Sequence, residues 1–155
     1  MQTFLRLLGM AMLLLAAVGA SAESFVFKDM QGQQQRLQDY RGKWVLVNFW
    51  ATWCPPCLEE IPDLVKLHEA HKNKDLVVIG VALDSTRESV VEFVAKKKIG
   101  YPVVMGDYDL AAQVGEVDAL PTSYLYDPTG KLVSYQQGMV TRASVESYVR
   151  GKTAK

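Results

Sequence analysis

The chain has 155 residues, 49% of them hydrophobic, with 17 basic side chains balanced by 17 acidic ones. That length supports one domain with a core that needs no cross-links. The even charge gives no reason to expect nucleic acid or an anionic surface as partner, two cysteines are too few for a disulfide scaffold, and a four-ligand zinc site would need His68 and His71, which lie far along the chain from Cys54.

Residues 1–22 read as a signal peptide rather than as part of the fold. Arg6 supplies the positive charge, Leu7 to Val18 is mostly Leu, Met and Ala, and Ala20-Ser21-Ala22 is a small-residue cleavage site. The apolar run is short for a membrane span. Cleavage and export to an oxidising compartment such as a periplasm are therefore expected, with residues 23–155 forming one domain. An N-terminal membrane anchor left uncleaved is the alternative.

Phe25-Val26-Phe27 and Gln34-Gln35-Arg36-Leu37 flank Met30-Gln31-Gly32 and predict a hairpin. The run from Trp44 to Trp50 is apolar on both faces, as a strand covered on each side must be. A helix is predicted from Pro55 to about His71 on the spacing of Leu58, Ile61, Leu64, Val65 and Leu67. Pro62 removes one backbone donor inside it and should kink it. A second buried strand covers 76–83, and an amphipathic helix covers 86–98 with Val90, Val91, Phe93 and Val94 inward. A short strand at 101–105 and a brief helix at 109–114 follow. Two strands, 123–127 and 131–135, are joined by the turn formers Pro128-Thr129-Gly130. Thr141 suits the N-cap of a last helix ending near Arg150, which leaves 151–155 as a frayed end. The order β-β-β-α-β-α-β-(α)-β-β-α predicts an α/β fold, a central mixed sheet with helices on both faces.

The motif that carries chemistry is Trp53-Cys54-Pro55-Pro56-Cys57, placed where the strand at 44–50 gives way to a helix. A Cys-x-x-Cys at such a junction is the layout of a redox-active disulfide. Cys54 at the helix N-terminus meets free backbone N–H groups and the positive end of the helix dipole. Its thiol is expected to ionise below the ~8.5 of a free cysteine. Cys57 lies one turn further in on the same face. Cys54 then attacks a substrate disulfide, and Cys57 resolves the mixed disulfide. Pro55 and Pro56 restrict the backbone between them. The tiny loop that the two cysteines close argues against a purely structural bridge.

The segment 45–62, VLVNFWATWCPPCLEEIP, and the segment 119–130, ALPTSYLYDPTG, resemble the thioredoxin superfamily. Within it they resemble the exported TlpA/ResA-like thiol–disulfide oxidoreductases, which have an AhpC/TSA-redoxin type domain. The β-α unit at about 76–98 looks like the central insertion of that family. The resemblance implies a thioredoxin-like fold with an N-terminal β-hairpin. It implies a cis-proline at Pro121, facing the dithiol, with Leu120 and Thr122 beside it on the substrate side. Trp53, Pro55 and Pro56 complete the substrate-binding surface, Trp53 as an apolar contact. Thioredoxin has a buried Asp where this chain has Asn48, which cannot take a proton. Glu60 matches a Glu near the dithiol and is expected to carry a proton to or from Cys57; the competing reading is a solvated carboxylate like Glu59.

The implied activity is reduction of protein disulfides in cell redox homeostasis. In relatives it includes cytochrome c biogenesis, where apocytochrome c is the substrate. Thr122 and Ser123 depart from the acidic residue that dedicated cytochrome c maturation reductases tend to carry after the cis-proline. A membrane thiol protein is the expected electron donor, and a monomer without cofactor or metal is expected. Two other enzymatic readings share the motif: a disulfide-forming oxidase, and a thiol peroxidase of the peroxiredoxin type. Against the peroxidase, Thr52 stands two residues before Cys54 where that type has its Thr three before. A non-enzymatic thiol-dependent chaperone or metal carrier is the reading from a different class.

Overall fold

The computed structural model describes residues 24–154. Residues 1–22, read above as a leader, lie outside the described residues. The hairpin is β1 (Val26–Lys28) against β2 (Gln34–Arg36), antiparallel, with Phe27 opposite Gln35. Gly32 at φ +84° takes the left-handed turn position that a side chain resists. Leu37, expected to extend the second strand, instead starts a 3-10 helix from Leu37 to Tyr40.

A five-stranded sheet forms the centre, in the order β5-β4-β3-β6-β7. β3 (Trp44–Trp50) runs parallel to β4 (Leu76–Ala82), and β4 runs parallel to β5 (Val103–Met105). β6 (Thr122–Tyr126) and β7 (Leu132–Gln137) continue antiparallel on the other side of β3. All seven residues of β3 and of β4 are buried, which explains why neither strand alternates in polarity.

The alternation of side chains divides the core in two. Trp44, Leu46 and Trp50 pack with Ile61, Leu64 and Leu67 of α1 (Pro55–His71) and with Val145 and Val149 of α4 (Arg142–Thr153). Val90 of α2 (Arg87–Lys97) joins that layer. Val45, Val47 and Phe49 face the other way, onto Phe25, Phe27, Leu37 and Ala111 of the short α3 (Tyr108–Ala111). The result is the mixed α/β sheet covered on both faces that the element order predicts.

Three helix details have visible reasons: one valine is more exposed than expected, one helix ends later than expected, and one keeps its expected length across a proline. Val91 is 51% exposed because α2 turns only Val90, with Phe93 and Val94 partly covered, toward the sheet. α4 continues through Gly151 to Thr153, whose hydroxyl bonds back to the Val149 and Arg150 carbonyls. α1 runs on through Pro62, which sits on its exposed side. There water can serve the Leu58 carbonyl that the missing N–H leaves without a partner.

Candidate active site

The C-terminal ends of β3 and β4 and the start of β6 meet at one edge of the sheet, and the dithiol stands there. Cys54 is the N-cap of α1: its sulfur accepts the Cys57 N–H at 3.4 Å, and its carbonyl accepts the Leu58 N–H at 3.1 Å. Cys54 and Cys57 are joined in a disulfide with Cα atoms 5.3 Å apart. Cys57 is fully buried and Cys54 nearly so. Pro55 and Pro56 occupy the first turn, where helix N–H groups have no partner within the helix, and both are exposed.

Trp53 is 60% exposed yet fixed, because its indole N–H donates to the Asp84 carbonyl at 2.8 Å. Asp84 has φ +48°, a left-handed conformation that costs a non-glycine residue about 1–2 kcal/mol. Its carboxylate accepts the Tyr108 hydroxyl at 2.8 Å. The neighbouring Ser85 Oγ accepts the Thr52 N–H at 3.1 Å. The turn after β4 thus holds the segment leading into Cys54. Asp84, Ser85 and Tyr108 escaped the sequence reading. A polar Asp-Ser-Thr run after a strand carries no signal beyond a turn and a helix cap.

Glu60 is the acid on the same helix face, one turn beyond Cys57, and it is 3% exposed. Its Oε1 accepts from Asn48 Nδ2 at 2.7 Å and its Oε2 accepts the Val140 N–H at 2.9 Å. Asn48 Nδ2 also donates to Ser123 Oγ at 3.0 Å. Burial pushes the carboxyl up to about 7, against the pull of the Val140 and Asn48 hydrogen bonds toward the ionised form. The solvated reading of Glu60 is therefore wrong, while Glu59 is exposed as expected. The two groups that bond Glu60 come from β3 and the β7–α4 loop, and Ser123 of β6 bonds the Asn48 amide in turn, so chain folding rather than local sequence builds the site.

The peptide between Leu120 and Pro121 is cis. Pro121 is buried and its carbonyl accepts the Gly138 N–H at 2.8 Å, while Leu120 is partly buried. Thr122 pairs with Phe49 across the β3–β6 ladder, so Pro121 lies level with Trp50, the last residue of β3. The Thr122 side chain turns inward, donating to the Ala119 carbonyl at 2.7 Å. Residues 138–140 tie the two halves of the site: Gly138 holds Pro121, and Val140 holds Glu60. Further along α1, the buried His68 accepts the Val78 N–H at Nδ1, and burial pushes its imidazole down to about 4. Among the described residues no group of three His, Cys, Asp or Glu side chains is placed to hold a metal.

This arrangement can pass two electrons between thiols and a disulfide, with a buried acid that titrates near neutrality one turn away. Comparison with known proteins agrees. Residues 18–135 match the AhpC/TSA family. The chain is 34% identical over 133 residues to the thiol-disulfide oxidoreductase ResA of Geobacillus kaustophilus, covering 86% of this chain and 76% of that one. A thiol:disulfide interchange protein of the thioredoxin family from Chlorobium tepidum superposes with a TM-score of 0.76 at 29% identity. That match covers 82% of this chain and 91% of that one. A secreted thiol-disulfide isomerase from Corynebacterium glutamicum superposes with a TM-score of 0.73 at 26% identity, over 80% of each chain. The chain belongs to the AhpC/TSA family and is one of its thioredoxin-fold thiol–disulfide oxidoreductases.

Proposed function

We propose that the chain reduces disulfides of protein substrates outside the cytoplasm, exported by the leader at 1–22 and folded as the single domain 23–155. The observation that carries the direction is the buried Glu60. A carboxylate one turn from the dithiol opposes a second negative charge on sulfur. Strong oxidants of this fold owe their potential to a stabilised reduced form. A site that withholds that stabilisation favours giving electrons away.

In the proposed cycle the Cys54 thiolate, at the helix N-terminus, attacks one sulfur of the substrate disulfide. A Cys54–substrate bond forms, the substrate S–S bond breaks, and the first substrate sulfur leaves as thiolate and takes a proton from solvent. Cys57 passes its proton to the Glu60 carboxylate and attacks Cys54, releasing the second substrate thiolate. Two electrons have moved to the substrate, and Cys54–Cys57 is a disulfide. Glu60 returns its proton to solvent or to the departing thiolate. Trp53, Pro55 and Pro56 present the exposed contact surface, and the segment at Leu120 and the cis Pro121 receives the substrate backbone, with Thr122 behind it paired to β3 and β7. An external thiol donor at the membrane then recharges the dithiol.

The reduction potential of Cys54–Cys57 tests this reading. A value near about −270 mV supports a reductase, and one near about −120 mV reverses the direction to disulfide formation. With Cys57→Ser, a mixed disulfide between Cys54 and substrate should accumulate; its absence would refute the division of labour.

A further inference from the structure

Among the described residues, three buried side-chain atoms have no hydrogen-bond partner: Asn48 Oδ1, Trp50 Nε1 and Tyr101 Oη. They belong to one place. Asn48 pairs with Gly80 across β3 and β4, so both point to the α1 face of the sheet. A Cβ on Gly80 would lie 2.9 Å from the Tyr101 ring and 3.1 Å from Trp50 Nε1, so those two groups fill the space beside Asn48. Buried polar atoms are nearly always paired, so a cluster of exceptions calls for a reason.

The Asn48 amide supplies one. Its Nδ2 uses both hydrogens, one on Glu60 and one on Ser123. Its Oδ1 is an acceptor with no donor, fully buried, on the same planar group that meets the Glu60 carboxyl. An ionised carboxyl has only acceptors and can use the N–H half alone. A neutral carboxyl has an O–H as well and matches both halves of an amide.

We propose that Asn48 is a positioning residue that holds Glu60 in both of its protonation states, its Oδ1 receiving the Glu60 O–H once the acid has taken the Cys57 proton. This rests on the reading of Glu60 as the proton carrier. In the ionised state the carboxylate keeps the Asn48 N–H and the Val140 N–H. In the neutral state the proton goes onto a carboxyl oxygen and its hydrogen turns to Asn48 Oδ1, filling the orphaned acceptor. No covalent bond other than S–H and O–H changes. An Asn that cannot itself titrate thereby serves where an acid would otherwise be needed.

The groups facing Glu60 can be named. β3 brings the Asn48 amide, with Ser123 of β6 behind it; the β7–α4 loop brings the Val140 N–H; the segment before β5 brings Tyr101; on α1 itself the buried ionisable side chains are Cys57, one turn before Glu60, and His68, two turns on. Asp63, at the α1–α4 seam, is engaged by the Arg142 backbone N–H at 3.2 Å. Tyr101 and Trp50 are the rival donors for Asn48 Oδ1.

The test is carbon NMR of the oxidised full chain, in which no thiol titrates, following Glu60 Cδ and Asn48 Cγ from pH 5 to 9. Both should move with one midpoint, Asn48 Cγ shifting on the acid side in the direction of an accepted hydrogen bond. In Tyr101→Phe the coupled shift should persist. In Glu60→Gln, whose amide N–H can replace the O–H, Asn48 Cγ should stay at its acid-side position at every pH. A flat Asn48 Cγ beside a titrating Glu60 Cδ would overturn this proposal and leave the proton carrier intact. Loss of the Asn48 shift in Tyr101→Phe would assign the donor to Tyr101 and overturn it too. A Glu60 Cδ that does not titrate in this range would remove the proton carrier itself.

Discussion

The two ends of α1 each bury an ionisable side chain against the sheet, and burial favours the neutral form of each, which shifts the two in opposite directions. At the dithiol end, burial raises Glu60 to about 7. Two turns further on, burial lowers His68 to about 4. Glu60 accepts from donors on two elements, β3 and the β7–α4 loop, and sits one turn from a reactive sulfur. His68 has a single directed role, accepting the Val78 N–H on β4. The same desolvation makes a proton carrier of one and a fixed structural acceptor of the other. What separates them is whether the neighbourhood changes charge during the reaction.

The sharpest break between the two ends is Cys54→Ala. Turnover should fall by at least about a thousandfold, as expected for loss of a nucleophile, while urea unfolding of the variant stays close to that of the reduced wild type.

Next come the opposed effects of pH on stability. The folded state holds the Glu60 proton up to about 7, whereas the unfolded chain releases it near 4.5. Glu60 therefore stabilises fully below 4.5, and that contribution is lost as pH rises to 7, about 3 kcal/mol in all. His68 does the reverse. It stabilises above about 6.5, and that contribution is lost as pH falls to 4, again about 3 kcal/mol. Between 4.5 and 6.5 the two cancel, so urea midpoints of the oxidised wild type should be nearly flat. Glu60→Gln should expose a stability that climbs with pH across 4–6.5. His68→Leu should expose one that falls across 4.5–7. Parallel profiles in the two variants would erase the contrast.

At pH 7, His68→Leu should also cost about 1–3 kcal/mol, because the Val78 N–H is left buried without an acceptor, with the reduction potential unmoved. The smallest effect is expected at the rim. Trp53→Ala should raise KM for a protein disulfide about fivefold, near 1 kcal/mol, with little change for a small aromatic disulfide and stability within about 0.5 kcal/mol.

Much of this was legible in the chain. Continuous apolar runs marked β3 and β4 because both faces of each are covered. Cys54-Pro55-Pro56-Cys57 marked the start of α1 because prolines fit a first turn. The helical spacing of Cys57 and Glu60 put them on one face, but spacing gives direction and not depth. The depth of Glu60 depends on Asn48, 12 residues earlier, and on Val140, 80 residues later. The anchoring of Trp53 was invisible for the same reason. It uses a backbone carbonyl of Asp84, and a carbonyl has no letter in the sequence. Val91 went astray because a valine beside a valine fits either flank of a helix stripe, and only the packing of α2 on Trp50 decides which one is covered.

The sulfur that caps α1 is also the atom that reacts. Cys54 Sγ accepts the Cys57 amide in the disulfide. A thiolate at that position is a stronger acceptor than a disulfide sulfur, and a sulfur bonded to substrate is turned toward another chain. The amide hydrogen of Cys57 is thus a gauge built into the backbone. Its exchange with deuterium should be slowest in the thiolate, intermediate in the disulfide and fastest in the mixed disulfide. Isotope exchange at one peptide group could then follow the catalytic cycle without a label on either partner.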